Sequence, residues 1–167
     1  MARIFGKDGY QRLLLGREIN INDIRTRTCT IAKTDTSSNA VAGVMGGELL
    51  VYTDRTQVYA PASKADDKVA GICLGTNVKL DPYFPESADE VKFIGGDACA
   101  CVIQGDVAVR FDKDTNSAGG APKEGAAVYY DFNNKAFTTS STDTIACTNM
   151  EFRGISEGNV TVVRVRY

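Results

Sequence analysis

The sequence predicts an all-β protein, and three observations carry that prediction. Val and Thr each occur 15 times whereas Leu occurs 7 times, and side chains branched at Cβ fit a pleated sheet better than a helix. The 16 glycines divide the chain into runs of strand length. Several of these runs alternate between apolar and polar residues with a period of two, which is the pattern of a strand with one buried face.

Strand candidates follow one another at short spacing. Residues 104–106 separate two of them and predict a hairpin turn, because Gly105 tolerates a positive φ. Asn133 and Asn134 predict a second two-residue turn. This spacing favours an antiparallel barrel or a jelly-roll-like sandwich over a βαβ fold. The candidates are residues 26–32, 48–52, 56–59, 69–74, 98–103, 107–111, 127–132, 135–138 and 159–167.

Helical patterns are scarce. Residues 62–68 and 87–92 could each form a turn or two, so at most one or two short helices are expected, and both would depend on packing. The length of 167 residues predicts a single domain. Residues 1–20 lack a clear period and are expected to form an extended N-terminal arm, followed by a barrel or sandwich domain over residues 21–167.

The charge balance argues against two classes of partner. Lys and Arg number 19 against 21 Asp and Glu, which gives a net charge of -2. A nucleic-acid-binding protein would normally carry a basic stripe, so no nucleic acid is expected. No run approaches the ~20 apolar residues that cross a bilayer, so no membrane is expected. The first residues lack the apolar region of a secretory signal, which predicts synthesis in the cytoplasm.

The residues that usually carry chemistry do not form a recognisable constellation. The sequence contains no His, which excludes His-based triads and His-ligated metals. Adjacent acids occur only in polar segments, where they would not face each other across a cleft. We therefore predict no catalytic, metal-binding or cofactor-binding residue and no enzymatic activity.

The aromatic and sulfur-containing residues have structural explanations. The tyrosines Tyr52, Tyr59, Tyr129 and Tyr130 fit either half-buried sheet positions or an interface, and the sequence leaves both open. The cysteines number five, an odd count without C-x-x-C spacing, so they are expected to be buried free thiols. Two of them, Cys99 and Cys101, would share one face of a strand.

The order of these segments resembles the capsid cement (decoration or stabilisation) proteins of tailed bacteriophages. In that family a G-D-V-x-V hairpin and a G-x-x-V-Y-Y-D…F segment precede a terminal apolar strand. The matching pieces in this chain are Leu15-Gly16, Val69-Ala70-Gly71-Ile72, Gly105-Asp106-Val107-Ala108-Val109, Gly125-Ala126-Ala127-Val128-Tyr129-Tyr130-Asp131 with Phe137, and Phe152-Arg153-Gly154 through Val165.

The resemblance implies a dimeric or trimeric β protein that binds the outside of an assembled phage head and stabilises it. Its partners would be the major capsid protein and further copies of itself, and its location would be the virion exterior after synthesis in the bacterial host. Three consecutive leucines in the arm need an apolar partner. The candidate capsid or subunit contacts are therefore Tyr10, Arg12, Leu13, Leu14 and Leu15.

Two other functions remain open from the sequence. The chain could be another self-assembling virion part, such as a tail-tube, baseplate or head-fibre module. It could also be a carbohydrate-binding β-sandwich, although the complete lack of Trp removes the usual stacking platform for sugar rings.

Overall fold

The computed structural model describes residues 24–33, 43–75, 92–112 and 122–166. Within these ranges the protein consists of strands and turns without a helix, so the all-β prediction is confirmed. The strands are β1 (Arg25–Ile31), β2 (Val44–Met45), β3 (Leu49–Tyr52), β4 (Val58–Pro61), β5 (Val69–Leu74), β6 (Lys92–Phe93), β7 (Ala98–Arg110), β8 (Ala127–Asp131), β9 (Ala136–Thr138), β10 (Ile145–Glu157) and β11 (Val160–Val165).

The first half of the chain closes into a small barrel. The strand order β1-β4-β3-β5-β7 returns to its start because β1 also pairs with β7. All of these pairs are antiparallel except β1 with β4, which is parallel. A short ribbon of β2 and β6 lies beside this barrel. The barrel prediction is thus confirmed, with one parallel pair that the sequence did not indicate.

The second half forms another curved sheet on the same central strand. Its order is β7-β11-β10-β8-β9, entirely antiparallel. The sheet curls back on itself, because Phe111, just after β7, forms a parallel bridge with Phe137 of β9. The amide of Asp112 donates to the carbonyl of Phe137 at 3.0 Å. We call the two halves the first and second barrels; β7 is common to both.

The hairpin predicted at residues 104–106 is wrong. Residues 98–110 form one continuous strand, in which Gly105 has a φ of 123°. Just before Gly105 the ladder with β1 shifts, since Arg25 pairs with Gln104 but Thr26 pairs with Val102, which leaves Ile103 as the extra residue. The positive φ of Gly105 therefore accompanies a bulge in one long strand and not a turn between two strands.

The bulge at Gly105 decides how the main core forms. Before it, Ala100 and Val102 face the main core, and after it Val107 and Val109 do so. Even-numbered residues of β7 therefore face the main core before the bulge, and odd-numbered residues face it after the bulge. The main core draws on all strands of the second barrel and on one face of β3 and β5. The second barrel thus packs against the side of the first.

The interior of the first barrel is filled separately. All of its strands contribute buried residues to this second cluster, namely Cys29, Ile31, Leu50, Tyr59, Ala70, Cys73, Cys99 and Cys101. A barrel of so few strands leaves little internal width, which fits the predominance of small side chains. Gly71 is the extreme case, because a Cβ there would lie 2.2 Å from the carbonyl O of Val102.

Two smaller sequence expectations change in detail. The β8–β9 hairpin is confirmed, but its turn spans residues 132–135 and the positive φ, 53°, belongs to Lys135. Residues 62–68 form no helix; the carboxylate of Asp67 instead accepts hydrogen bonds from the amides of Ser63 and Lys64 at 2.8 and 3.1 Å. In the other helix candidate, residues 87–91 lie outside the described residues and Lys92 belongs to β6. The N-terminal arm, residues 1–20, also lies outside the described residues.

Replacing Gly71 with Ala is expected to destabilise the protein by about 3 kcal/mol or more, because overfilling a packed interior displaces backbone as well as side chains. Gly158→Ala is the matched control. Its added Cβ would meet nothing within 4 Å, so only the strain of a left-handed residue, about 1–2 kcal/mol, is expected. Urea unfolding monitored by tyrosine fluorescence measures both. Equal losses would contradict the close β5–β7 approach.

Candidate docking surfaces

One end of the first barrel carries an open groove of about 410 Å³, which we call the barrel mouth; it consists of Arg27, Tyr52, Tyr59 and residues 53–57. The register of β3 and β4 sets Tyr52 opposite Tyr59, and opposed residues share one face. Their rings meet edge to face with centroids 5.3 Å apart. Tyr59 is buried, whereas Tyr52 at the rim is 47% exposed.

The turn at the mouth is held in place by Thr53. Its Oγ1 donates to the carbonyl O of Val58 at 2.6 Å and accepts from the amide N of Arg55 at 3.1 Å. Gln57 has a φ of 60°, a conformation that residues other than glycine rarely adopt. The Gln57 carbonyl accepts from the amide of Thr30 in β1 at 2.8 Å. The turn is therefore anchored both internally and to the neighbouring strand.

The mouth carries more positive than negative charge. It contains the guanidinium groups of Arg27 and Arg55 and the carboxylate of Asp54. Arg27 is half-buried and donates from Nη1 to the Tyr59 hydroxyl at 3.5 Å. Beside the groove, the carbonyl of Lys68 accepts from the last amide of β3 at 2.9 Å, and the Lys68 side chain is exposed. The mouth therefore offers aromatic surface next to two arginine side chains.

A second groove, of about 330 Å³, lies between β8 and β10. Between the pairs Ala146–Tyr129 and Glu151–Ala127, β10 advances by five residues while β8 advances by two. The extra residues bulge and open the groove. On its rim, Glu151 is ion-paired with Arg166. The charged side chains on its rim are therefore already paired to each other.

An ion-pair network joins three strands of the second barrel. Arg164 in β11 donates from Nε and Nη2 to both carboxylate oxygens of Asp106 in β7, at 2.7 and 2.9 Å. The Nε of Arg153 in β10 lies 3.7 Å from the same carboxylate, and its Nη1 donates to Glu124. Because bidentate pairs fix orientation, this network stabilises the barrel wall.

The buried thiols are the remaining group of potentially reactive side chains. All five cysteines are buried and free, as the sequence predicted, and the Sγ atoms of Cys29 and Cys99 are 3.3 Å apart. A hydrogen bond with Cys99, and then burial, raise the pKa of Cys29. Burial raises the pKa of Cys101 and of Cys147 to about 12. The thiols of Cys29, Cys101 and Cys147 are therefore neutral at pH 7 and are poor nucleophiles.

The described part of the chain contains neither a cluster of metal-binding side chains nor a membrane-spanning helix. Within residues 24–33, 43–75, 92–112 and 122–166, no three side chains of His, Cys, Asp or Glu are grouped so as to hold a metal ion. In the same part of the chain, no helix has the length and apolar character needed to cross a membrane.

The contact residues predicted from the sequence belong to the N-terminal arm. Tyr10, Arg12, Leu13, Leu14 and Leu15 all lie outside the described residues, so their role stays a prediction.

The structure does distinguish the tyrosines that the sequence left open. Tyr59 and Tyr130 are core residues and Tyr129 is half-buried, while Tyr52 is exposed in a groove. The alternation of β3 and β4 was visible in the sequence, but their register was not.

The closed strand orders and the absence of a helix among the described residues place the fold in the class of small β-barrel proteins. The comparison with protein families makes this specific. The model described as "Structural cement protein (E217 gp24/Pam3 gp6)" matches residues 16–167. The chain belongs to this family of phage structural proteins, which confirms the resemblance. The candidate contacts at residues 10–15 precede the matched region.

A solved structure supports the fold independently. A chain in the capsid of Myoviridae phage XM1 superposes with a TM-score of 0.63 over 97% of both chains, at 15% sequence identity. At that identity the likeness concerns the fold. No curated protein matches the sequence.

The raised thiol pKa values predict that the free energy of unfolding falls as the pH rises from about 9 toward about 12. Unfolded thiols ionise near their ordinary pKa of 9.0, whereas Cys101 and Cys147 in the folded protein hold their protons to about 12. Above pH 9 the unfolded state therefore binds fewer protons than the folded state and is favoured.

Urea unfolding at several pH values between about 9 and about 12 measures how the free energy of unfolding depends on pH. Cys147→Ala removes one titrating thiol and is expected to show a shallower decline than the unsubstituted protein. An identical decline in both proteins would contradict the burial of Cys147 as a cause.

Proposed function

We propose that the protein binds the outer surface of an assembled phage capsid, with the major capsid protein as its partner, and stabilises the shell. The observation that carries this proposal is membership of the structural cement protein family over residues 16–167. The closed barrels support it, because a rigid body can transmit a restraint between the subunits it touches. The protein is proposed to act without catalysis and to be synthesised in the host cytoplasm.

The proposed mechanism is thermodynamic linkage. A ligand that binds the assembled shell but not the free subunits shifts the equilibrium toward the shell. A ligand at 100 times its Kd adds about 2.7 kcal/mol for each site. If the protein acts as a dimer or trimer that engages several subunits together, avidity raises the apparent affinity by about 10²–10⁴ over one contact. Weak individual contacts would then suffice.

The N-terminal segment is proposed as one of these contacts. Tyr10, Arg12 and the three leucines Leu13, Leu14 and Leu15 combine apolar, aromatic and cationic side chains. An extended segment can add a strand to a neighbouring sheet and thereby gain main-chain hydrogen bonds. Its acceptor would be the capsid or a second copy of this chain.

Purified protein added to undecorated phage heads is expected to co-sediment with them and to raise the temperature at which they release DNA. The physical reason is linkage to the assembled shell. Heads without added protein and heads with an unrelated β protein of similar charge are the controls. Heads that sediment without bound protein would refute the function.

Deleting residues 1–16 is expected to weaken head binding or self-association while leaving the urea unfolding midpoint of the barrels unchanged. The described strands begin at residue 25, so the deletion removes none of them. Sedimentation with heads and light scattering after size exclusion measure the two effects separately. A truncated protein that binds heads and self-associates like the full chain would remove the arm from the mechanism.

A further inference from the structure

We propose that the barrel mouth is a docking surface for an acidic, carboxylate-bearing segment on a major capsid subunit. This inference rests on the proposed function and adds to it a specific surface and the chemistry of the segment that the surface takes. The mouth combines an exposed tyrosine, a rigid turn and a local excess of cations, and each of these features bears on what can bind there.

The aromatic pair provides contact area at low entropic cost. Tyr52 is 47% exposed, yet its ring packs edge to face against the buried ring of Tyr59 with centroids 5.3 Å apart. This contact restricts the Tyr52 ring before any partner arrives. Tyr and Arg are the residue types enriched among the interface positions that contribute most to binding. Tyr52 is therefore suited to anchor a partner.

The turn at residues 53–57 is organised in advance. The hydroxyl of Thr53 bonds to Val58 and Arg55, and the carbonyl of Gln57 bonds to β1. The left-handed φ of 60° at Gln57 carries a conformational cost that the surrounding contacts sustain. Loops that are already in their bound conformation lose less entropy on association. The turn is therefore held in one conformation before a partner binds.

The depth of the mouth favours a protein surface over a small molecule. Its floor is closed by Tyr59, which is 3% exposed, and Cys101 in the interior below has no exposed surface. A small-molecule pocket normally encloses most of its ligand, and this shallow groove cannot do so. A segment that lies across the groove can instead contact the Tyr52 ring and the turn together.

The charges specify an acidic segment. Among the described residues that line the groove, Arg27 and Arg55 are cationic and Asp54 is acidic. Arg55 has no ion pair with any described residue. The whole chain has a net charge of -2, so this local excess of cations is set against the overall charge. Complementary charge of this kind increases the association rate and selects the partner.

The test compares Arg55→Glu and Tyr52→Ala with the control Lys123→Glu. The control makes the same charge reversal at an exposed position in the second barrel. Binding to undecorated heads is measured by sedimentation at low and high salt, with urea unfolding as a check of the fold. Each mouth variant is expected to lose about tenfold or more in affinity, and Arg55→Glu is expected to lose most of the salt dependence. Lys123→Glu is expected to bind like the unsubstituted protein.

The outcomes separate this inference from the proposed function. If the unsubstituted protein binds heads and both mouth variants bind equally well, the docking surface is wrong while the cement function stands. If a mouth variant changes the oligomeric state by light scattering but not its affinity for heads, the mouth is a contact between copies and the inference is overturned. If the unsubstituted protein does not bind heads, the proposed function fails. Should Tyr52→Ala fail to fold, Arg55→Gln decides the question alone.

Discussion

The structure depends on one constraint, which is that a single strand must serve two barrels. The first part of β7 pairs with β1 and β5, and the last part pairs with β11. A regular strand would direct alternate side chains to opposite faces along its whole length. The bulge around Gly105 changes that alternation, so that Val102 and Val107 reach the same core. Both barrels are thereby packed against one another through one continuous set of apolar contacts.

A second constraint follows from how narrow the first barrel is. Its wall consists of five strands, and large side chains from all of them would not fit inside. Cysteine suits this interior because it is a small apolar residue in the reduced state. Gly71 allows β5 to approach β7 closely, beneath the Sγ of Cys101. Burial also raises the pKa of Cys101 to about 12, so this thiol in the barrel interior stays protonated at neutral pH.

The sequence predicts the existence of strands better than their connections. The alternation of residues 160–165 and the apolar run of residues 69–74 report burial directly, and both strands are present. The hairpin prediction at Gly105 is wrong because a positive φ occurs both in turns and in bulges. Only the pairing with neighbouring strands distinguishes the two. The mouth was not predictable for a related reason. Tyr52 and Tyr59 become neighbours through the β3–β4 register, whereas their burial depends on residues distant in the chain.

Barrel closure also bears on how a structural protein avoids unwanted association. A sheet with free edges can pair with any exposed strand, whereas the paired ends of β1 and β7 and the bridge between Phe111 and Phe137 close the two sheets. Contacts with a shell must then use side chains, or a segment outside the barrels. Under the proposed function this division is useful. The mouth would select an acidic partner through its charge, and the N-terminal segment would add main-chain hydrogen bonds. Each contact can remain weak enough to reverse while the shell assembles, and their combination becomes strong once the partner subunits are in place.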